Sequence, residues 1–250
     1  MAAAAFILAG CNNSGKKADG SEEAQADSVA TVKKQKDADS KEAASKEAAS
    51  KDTEEAKAAE EKAATLAEEP LFDIVTSMGT IRVKLYSKTP KHRQNFIHLA
   101  LTGYYDDLLI HRVVPDFVIQ GGDPYTKDST RFDQWGQGGP DYMIPAEFVP
   151  EYTHKKGALA AARSGDIANP MKESNGSQFY LVVSPENCKH LDGEYTVFGE
   201  AVSGLNVIDR ISRVRTDKYG RPIRPVKIKD IKPSKVKEKR RRTVKKEENE

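Results

Sequence analysis

Apolar and polar positions alternate clearly from residue 72 onward. Phe72-Asp-Ile-Val-Thr-Ser77 alternates and runs into Met78-Gly79, a hairpin-type turn. Thr80 to Tyr86 then alternates strictly, with Ile81, Val83 and Leu85 on the inward side and Arg82 and Lys84 outward. The two segments predict a β-hairpin. Thr89-Pro90 opens a helical pattern with Thr89 as N-cap and Pro90 in the first turn. Phe96, Leu99 and Ala100 form its apolar face, and Gly103 stops it. Short strands follow at 109–114, 117–121, 157–162, 177–184 and 196–201. A second helix fits 204–212, with Leu205, Val207, Ile208 and Ile211 inward, and a last strand fits 226–231. Many short strands with two helices predict a mainly β fold, a closed barrel whose ends the helices plug.

The rest of the chain lacks these patterns. Of the 18 aromatic residues, all but Phe6 lie between Phe72 and Tyr219, so one core of about 160 residues is expected between polar extensions. No run of about 20 apolar residues exists, which excludes a polytopic membrane protein. The two cysteines, Cys11 and Cys188, exclude a disulfide-stapled scaffold. Residues 12–69 carry 10 Lys against 15 Asp or Glu, with KEAAS repeated at 41–45 and 46–50. Ala, Lys and Glu favour helix, but no apolar stripe is present, so the segment reads as a solvated, partly helical spacer. The tail 235–250, with 8 Lys or Arg against 4 Glu, reads as a charged disordered end. Between these extensions no dominating basic face marks a nucleic-acid binder.

The N-terminus has its own signature. Residues 2–9 form a short apolar run, too short to span a bilayer. Leu8-Ala9-Gly10-Cys11 resembles the bacterial lipobox, in which the signal is cut before the Cys and the thiol is lipidated. No Lys or Arg precedes the apolar run, a departure from that pattern. The expectation is a signal peptide over 1–11, a spacer over 12–69, a folded domain over 70–234 and a tail over 235–250. Cys11 would anchor the chain to a membrane of a bacterial cell envelope, with the domain outside the cytoplasm.

In the folded part, four ordered motifs carry a resemblance. Ile110-His-Arg-Val-Val-Pro-Asp-Phe-Val-Ile-Gln-Gly-Gly-Asp123, Gly157-Ala-Leu-Ala-Ala-Ala-Arg163, Asn175-Gly-Ser-Gln-Phe-Tyr180, and Leu191-Asp-Gly193 with Val197-Phe-Gly199 resemble cyclophilin-type peptidyl-prolyl cis-trans isomerases over about 70 to 232. The resemblance implies an eight-stranded antiparallel barrel with a helix capping each end. It also implies accelerated rotation about X-Pro bonds, without metal or cofactor.

That rotation crosses a barrier of about 20 kcal/mol because it breaks amide conjugation. In the twisted amide the proline nitrogen regains a lone pair, and a fixed guanidinium aimed at it would favour the transition state over the ground state. The resemblance assigns this role to Arg112, with Gln120 holding both the guanidinium and a substrate carbonyl. It assigns substrate contacts to His111, Phe117, Val118, Ala162, Arg163, Gln178, Tyr180, His190, Leu191 and Tyr195. Of these, Phe117, Val118, Tyr180 and Leu191 would line the proline pocket, and Ala162 and Arg163 would form the edge that pairs with peptide backbone. His111 is expected at the rim with a structural hydrogen bond, and Phe179 in the barrel core.

The sequence departs from the family at several positions. Val118 stands where Met is common, Tyr180 where a second Phe is common, and Arg163 where eukaryotic members often carry Asn. His190 aligns with the rim Trp of cyclosporin-sensitive members, so weak or no cyclosporin binding is expected. Tyr195 takes a rim position that is often His, and the 164–174 loop is long. Two functions fit: an envelope-tethered isomerase acting on proline-containing polypeptides, or a tethered proline-peptide-binding chaperone or scaffold with little turnover. Arg112 together with Gln120 and Tyr180 favours the enzyme. A monomer is the default expectation.

Overall fold

The structure is a computed structural model that describes Glu54 and residues 57–234. Cys11, most of the spacer and the tail 235–250 lie outside the described residues. The elements are α1 (57–64), β1 (Leu71–Thr76), β2 (Gly79–Leu85), α2 (Pro90–Leu101), β3 (Arg112–Val114), β4 (Val118–Gly121), β5 (Met143–Ile144), β6 (Ala158–Ala161), β7 (Ser174–Asn175), β8 (Phe179–Val182), β9 (Val197–Ser203), α3 (Leu205–Ser212) and β10 (Ile228–Pro233).

Eight strands form one antiparallel sheet in the order β10-β1-β2-β9-β6-β8-β4-β3, and β5 pairs with β7 separately. The sheet curls but does not close, which corrects the expected closed barrel: β3 and β10 share no ladder. An isolated bridge, Leu109 to Lys227, spans the seam, flanked by backbone bonds from Ile110 N–H to Val226 O (2.8 Å) and from Ile228 N–H to Leu108 O (2.7 Å). The local sequence explains the gap. Pro115 and Asp116, the latter at φ 54°, turn the chain away after three residues of β3, and Pro222 and Pro225 supply no N–H to a ladder on the other side.

Alternation separates two apolar layers. Phe72, Ile74, Ile81, Val83, Ile119, Leu159, Phe179 and Leu181 fill the main core beneath α2 and α3, as the pattern predicts for Phe179. Residues on the opposite face of the central strands, Val118, Ala160, Tyr180 and Val182, join Cys188, Leu191 and Val197 in a second cluster, with Phe117 and Tyr195 at its margin. In α3, Val207, Ile208 and Ile211 are buried, but Leu205 is 38% exposed because it lies over Gly157 outside the core.

Strand ends shift from the sequence pattern by up to three residues, as in β3, which starts at Arg112 and not at 109, and two further boundaries differ in kind. Thr89 does not cap α2; its hydroxyl reaches back to Tyr86 O at 3.4 Å. The carboxylate of Glu147 does so instead, accepting the N–H groups of Lys91 (3.1 Å) and His92 (3.0 Å). The compact domain also begins before residue 70. Ala59 in α1 is buried, and Ala63 and Leu66 pack against the main core, so the last turns of the polar segment contribute small apolar side chains to the fold.

Candidate active site

Strand pairing places the key side chains in a single row. Arg112 pairs with Gln120, Gln120 with Tyr180, and Tyr180 with Ala160, so all four lie across β3, β4, β8 and β6 at the same level. Above this row opens a pocket of about 270 Å³ lined by Arg112, Phe117, Val118, Gln120, Ala162, Arg163, Tyr180, Leu191 and Tyr195. Nine of the expected residues therefore meet in one place.

Its polar wall is a chain of hydrogen bonds. Arg112 Nη1 donates to Gln120 Oε1 (3.2 Å), and Gln120 Nε2 donates to Gln178 Oε1 (2.9 Å). Gln178 lies buried behind the pocket, and its Nε2 donates to the carbonyls of Gly136 (3.0 Å) and Gly138 (2.6 Å). Burial pushes the Arg112 guanidinium below its ordinary range, but the group stays charged at neutral pH. Only one of its donors is taken by Gln120.

The carbonyls that hold Gln178 are themselves fixed. Asp123 is fully buried, and its carboxylate accepts N–H groups from Tyr125 (2.7 Å), Gly136 and Gly138 (3.3 Å). It thereby ties down the two 3-10 helices Pro124–Lys127 and Ser129–Gln134. A Cβ at Gly138 would lie 2.1 Å from Asp123 Oδ1, so only glycine fits there. Gly122 has φ 91°, and a Cβ on it would meet Ser177 O at 2.3 Å.

The apolar wall conceals a second polar chain. The Tyr180 hydroxyl lies 2.8 Å from His154 Nε2, and His154 Nδ1 lies 2.7 Å from Asp192 Oδ1, which also accepts the His154 backbone N–H at 2.8 Å. A carboxylate only accepts, so Nδ1 carries the proton and Nε2 takes the one from Tyr180. Burial pushes His154 below its ordinary range, against the pull of Asp192, and pushes the Tyr180 phenol up. Burial also raises the Cys188 thiol to about 11.

Four expected contacts take a different form. His190 is exposed and stacks on Phe117, with ring centroids 6.0 Å apart and planes 8° apart, so it braces a pocket wall from outside. His111 is buried at 3% exposure and neither ring nitrogen has a well-formed hydrogen bond, in place of the expected rim hydrogen bond. Burial pushes it down to about 4 despite Asp123, so it is neutral. The Arg163 guanidinium lies over the Tyr195 ring at 4.4 Å. It donates to Glu194 O (2.9 Å), Ser164 O (3.0 Å) and Asp166 Oδ1 (2.6 Å). It is a strut between the 164–166 loop and the pocket rim. Ala162 also spends its backbone, with its N–H on Gln178 O and its carbonyl on Asn175 N–H.

His154, Asp192 and Asp123 shape the site without having been expected there. Asp123-Pro124 is a local turn-and-cap signal that could have been read. Asp192 and His154 come together from 38 residues apart and leave no local signal. Among the described residues, no group of three or more His, Cys, Asp or Glu could hold a metal ion.

Residues 71–233 match the family model described as cyclophilin type peptidyl-prolyl cis-trans isomerase/CLD. The chain is 41% identical over 157 residues to peptidyl-prolyl cis-trans isomerase ppi1 of Schizosaccharomyces pombe, an alignment covering 62% of this chain and 94% of that protein. It is 38% identical over 160 residues to peptidyl-prolyl cis-trans isomerase CYP18-2 of Arabidopsis thaliana, covering 64% and 90%. The fold matches a crystal structure of a Cryptosporidium parvum cyclophilin type peptidyl-prolyl cis-trans isomerase with TM-score 0.58 and 30% identity, covering 66% of this chain and 98% of that one. The same isomerase in the presence of the dipeptide Ala-Pro matches with TM-score 0.57. These relatives are eukaryotic and lend no support to a bacterial lipoprotein form.

Proposed function

Because the chain belongs to the cyclophilin-type peptidyl-prolyl cis-trans isomerase family, we propose that its pocket catalyses X-Pro rotation through Arg112. The protein is a peptidyl-prolyl cis-trans isomerase, and its substrates are proline-containing polypeptides. The mechanism is our reading. The proline ring enters the apolar side of the pocket against Phe117, Val118, Tyr180 and Leu191. The Arg112 guanidinium then faces the proline nitrogen. In the planar amide that nitrogen is a poor acceptor; in the twisted amide its lone pair is free, so the hydrogen bond strengthens at the top of the barrier. Gln120 keeps one amide hydrogen for the substrate carbonyl once the other has gone to Gln178.

The observation that carries this reading is the chain Arg112–Gln120–Gln178 anchored on the Gly136 and Gly138 carbonyls. It holds a half-buried guanidinium at the mouth of an apolar pocket, so little reorganisation is needed when charge shifts. In a peptide isomerisation assay, Arg112→Ala lowers kcat by about 100-fold or more while peptide affinity stays within a few-fold. A wild-type protein that binds the peptide without accelerating exchange would instead make it a proline-peptide-binding chaperone.

We further propose that it works as a monomer tethered to a bacterial cell envelope through lipidated Cys11. This rests on Leu8-Ala9-Gly10-Cys11 and the polar residues after it. Labelling with a fatty acid that is lost in Cys11→Ser tests the anchor, and light scattering tests the monomer.

A further inference from the structure

The turn at 215–224 runs along the free edge of β3. Ile223 N–H donates to Arg215 O (2.9 Å) and Asp217 N–H to Arg221 O (2.9 Å), which folds the segment back on itself. Gly220 O accepts Val113 N–H at 2.7 Å, so the turn is β3's second neighbour. It also lies against Arg112: a Cβ on Gly220 would sit 3.8 Å from Arg112 Cγ.

This turn carries Arg215, Lys218, Arg221 and Arg224 against one carboxylate, Asp217. Asp217 is committed to the turn itself, accepting the N–H groups of Tyr219 (2.8 Å) and Arg221 (2.9 Å). None of the four cations forms an ion pair among the described residues. Elsewhere Arg82, Lys84, Lys156 and Arg163 each sit on a carboxylate. Two of the turn's cations rest on aromatic faces instead. Arg221 lies 4.2 Å from the centre of the Phe132 ring and 5.1 Å from that of Tyr219, and Lys218 lies 4.9 Å from Tyr219. On the facing 3-10 segment, Arg131 lies 3.8 Å from the Tyr125 ring. An aromatic face orients a cation without cancelling its charge. Arg215, Lys218 and Arg224 are exposed, beside Tyr219 and Ile223 at 61% and 57% exposure.

Clustered cations repel one another, so this surface gains most from an anion that spans several of them. We propose that the 215–224 turn is a second contact surface for the substrate polypeptide, one that takes an acidic stretch flanking the X-Pro bond bound at Arg112. The inference rests on the isomerase reading. An extended chain advances about 3.3 Å per residue, so a few residues lead from the pocket to the turn. That adjacency favours a flanking segment of the substrate over a lipid headgroup or a nucleic acid.

The test compares two peptides with the same X-Pro core, one flanked on both sides by glutamates and the other by glutamines. At low ionic strength the acidic peptide shows a kcat/KM roughly five- to tenfold higher, and about 0.5 M salt removes the advantage. Arg215→Glu/Lys218→Glu/Arg224→Glu abolishes the advantage and leaves the neutral peptide's kcat/KM unchanged, which also shows the variant is folded. Equal turnover of both peptides by the wild type overturns the proposal, as does an advantage that survives in the triple variant. If phosphatidylglycerol vesicles or a single-stranded oligonucleotide bind through these three residues while the acidic peptide gains nothing, the surface belongs to that anion and the proposal falls. Failure of the wild type on the neutral peptide would instead remove the isomerase reading itself.

Discussion

His154→Ala strands the Tyr180 hydroxyl inside the pocket wall. The His154 side chain is 1% exposed and Tyr180 is 4% exposed, so no solvent replaces the lost acceptor. A buried hydroxyl without a partner costs about 2 kcal/mol, and the vacated imidazole space about 1 kcal/mol more. Tyr180→Phe alone costs about 1 kcal/mol, because it removes the hydroxyl but leaves His154 Nε2 without its donor. In the Tyr180→Phe background, His154→Ala should then cost only the cavity part. A double-mutant cycle by urea unfolding should therefore show a coupling of about 2 kcal/mol. The kinetics should follow, since Tyr180 lines the pocket: His154→Ala raises KM several-fold with little change in kcat, and Tyr180→Phe restores KM. Lowering the pH supplies a second arm. Burial holds His154 below its ordinary 6.5 in the folded state, so its contribution to stability is complete above pH 6.5 and falls as the pH drops. Once protonated, Nε2 can only donate, so the Tyr180 hydroxyl must turn its own hydrogen away from it toward the pocket, and KM rises on the acid side in the wild type but not in Tyr180→Phe. Additive stabilities within about 0.5 kcal/mol, or an acid limb that survives in Tyr180→Phe, would refute the role given to the Asp192–His154 pair.

Three further outcomes follow from the site. His111 drops from 6.5 to about 4 on folding, a gap worth about 3 kcal/mol, so stability declines as pH falls from about 6.5 to 4. His111→Asn should flatten that decline in a series of urea melts across this range; an unchanged slope would show that His111 does not titrate on unfolding. Asp123→Asn replaces a charged acceptor of three backbone N–H groups, costing about 2 kcal/mol and loosening the carbonyls that hold Gln178, so hydrogen exchange over 124–138 should quicken. Unchanged exchange there would mean that the 3-10 helices stand without it. The rim presents an exposed His190 where the resemblance places the Trp of cyclosporin-sensitive members, so cyclosporin should bind weakly, and nanomolar inhibition in the peptide assay would contradict this.

Much of this was legible because the informative patterns are local. Period-two alternation placed β1 and β2 within a residue, and the contiguous motifs around Arg112, Gln120, Gln178 and Tyr180 carried the pocket. Contacts between distant segments left no mark in the sequence. Glu147 caps α2 from 55 residues away, and Tyr180 meets His154 across 26 residues. The opening at the seam was hidden because apolar periodicity marks which side chains face inward without showing which outer strands fail to pair. Arg163 looked like a free contact because its partners, Glu194 and Asp166, lie on turns with no periodic pattern. The segments β5 and β7 span two residues each, too short for any alternation to register.

The seam has a consequence for how the protein coexists with its clients. An isomerase of proline-containing polypeptides exposes its sheet edges to extended chains, and a long bare edge would template intermolecular β-pairing. Here one edge strand is three residues long and its Val113 N–H is already taken by Gly220. The other edge, β10, ends at Pro233 and points Lys229 and Lys232 outward. Lysines, a proline and short length are features that discourage strand addition, so the unclosed sheet resists co-aggregating with the chains it isomerises.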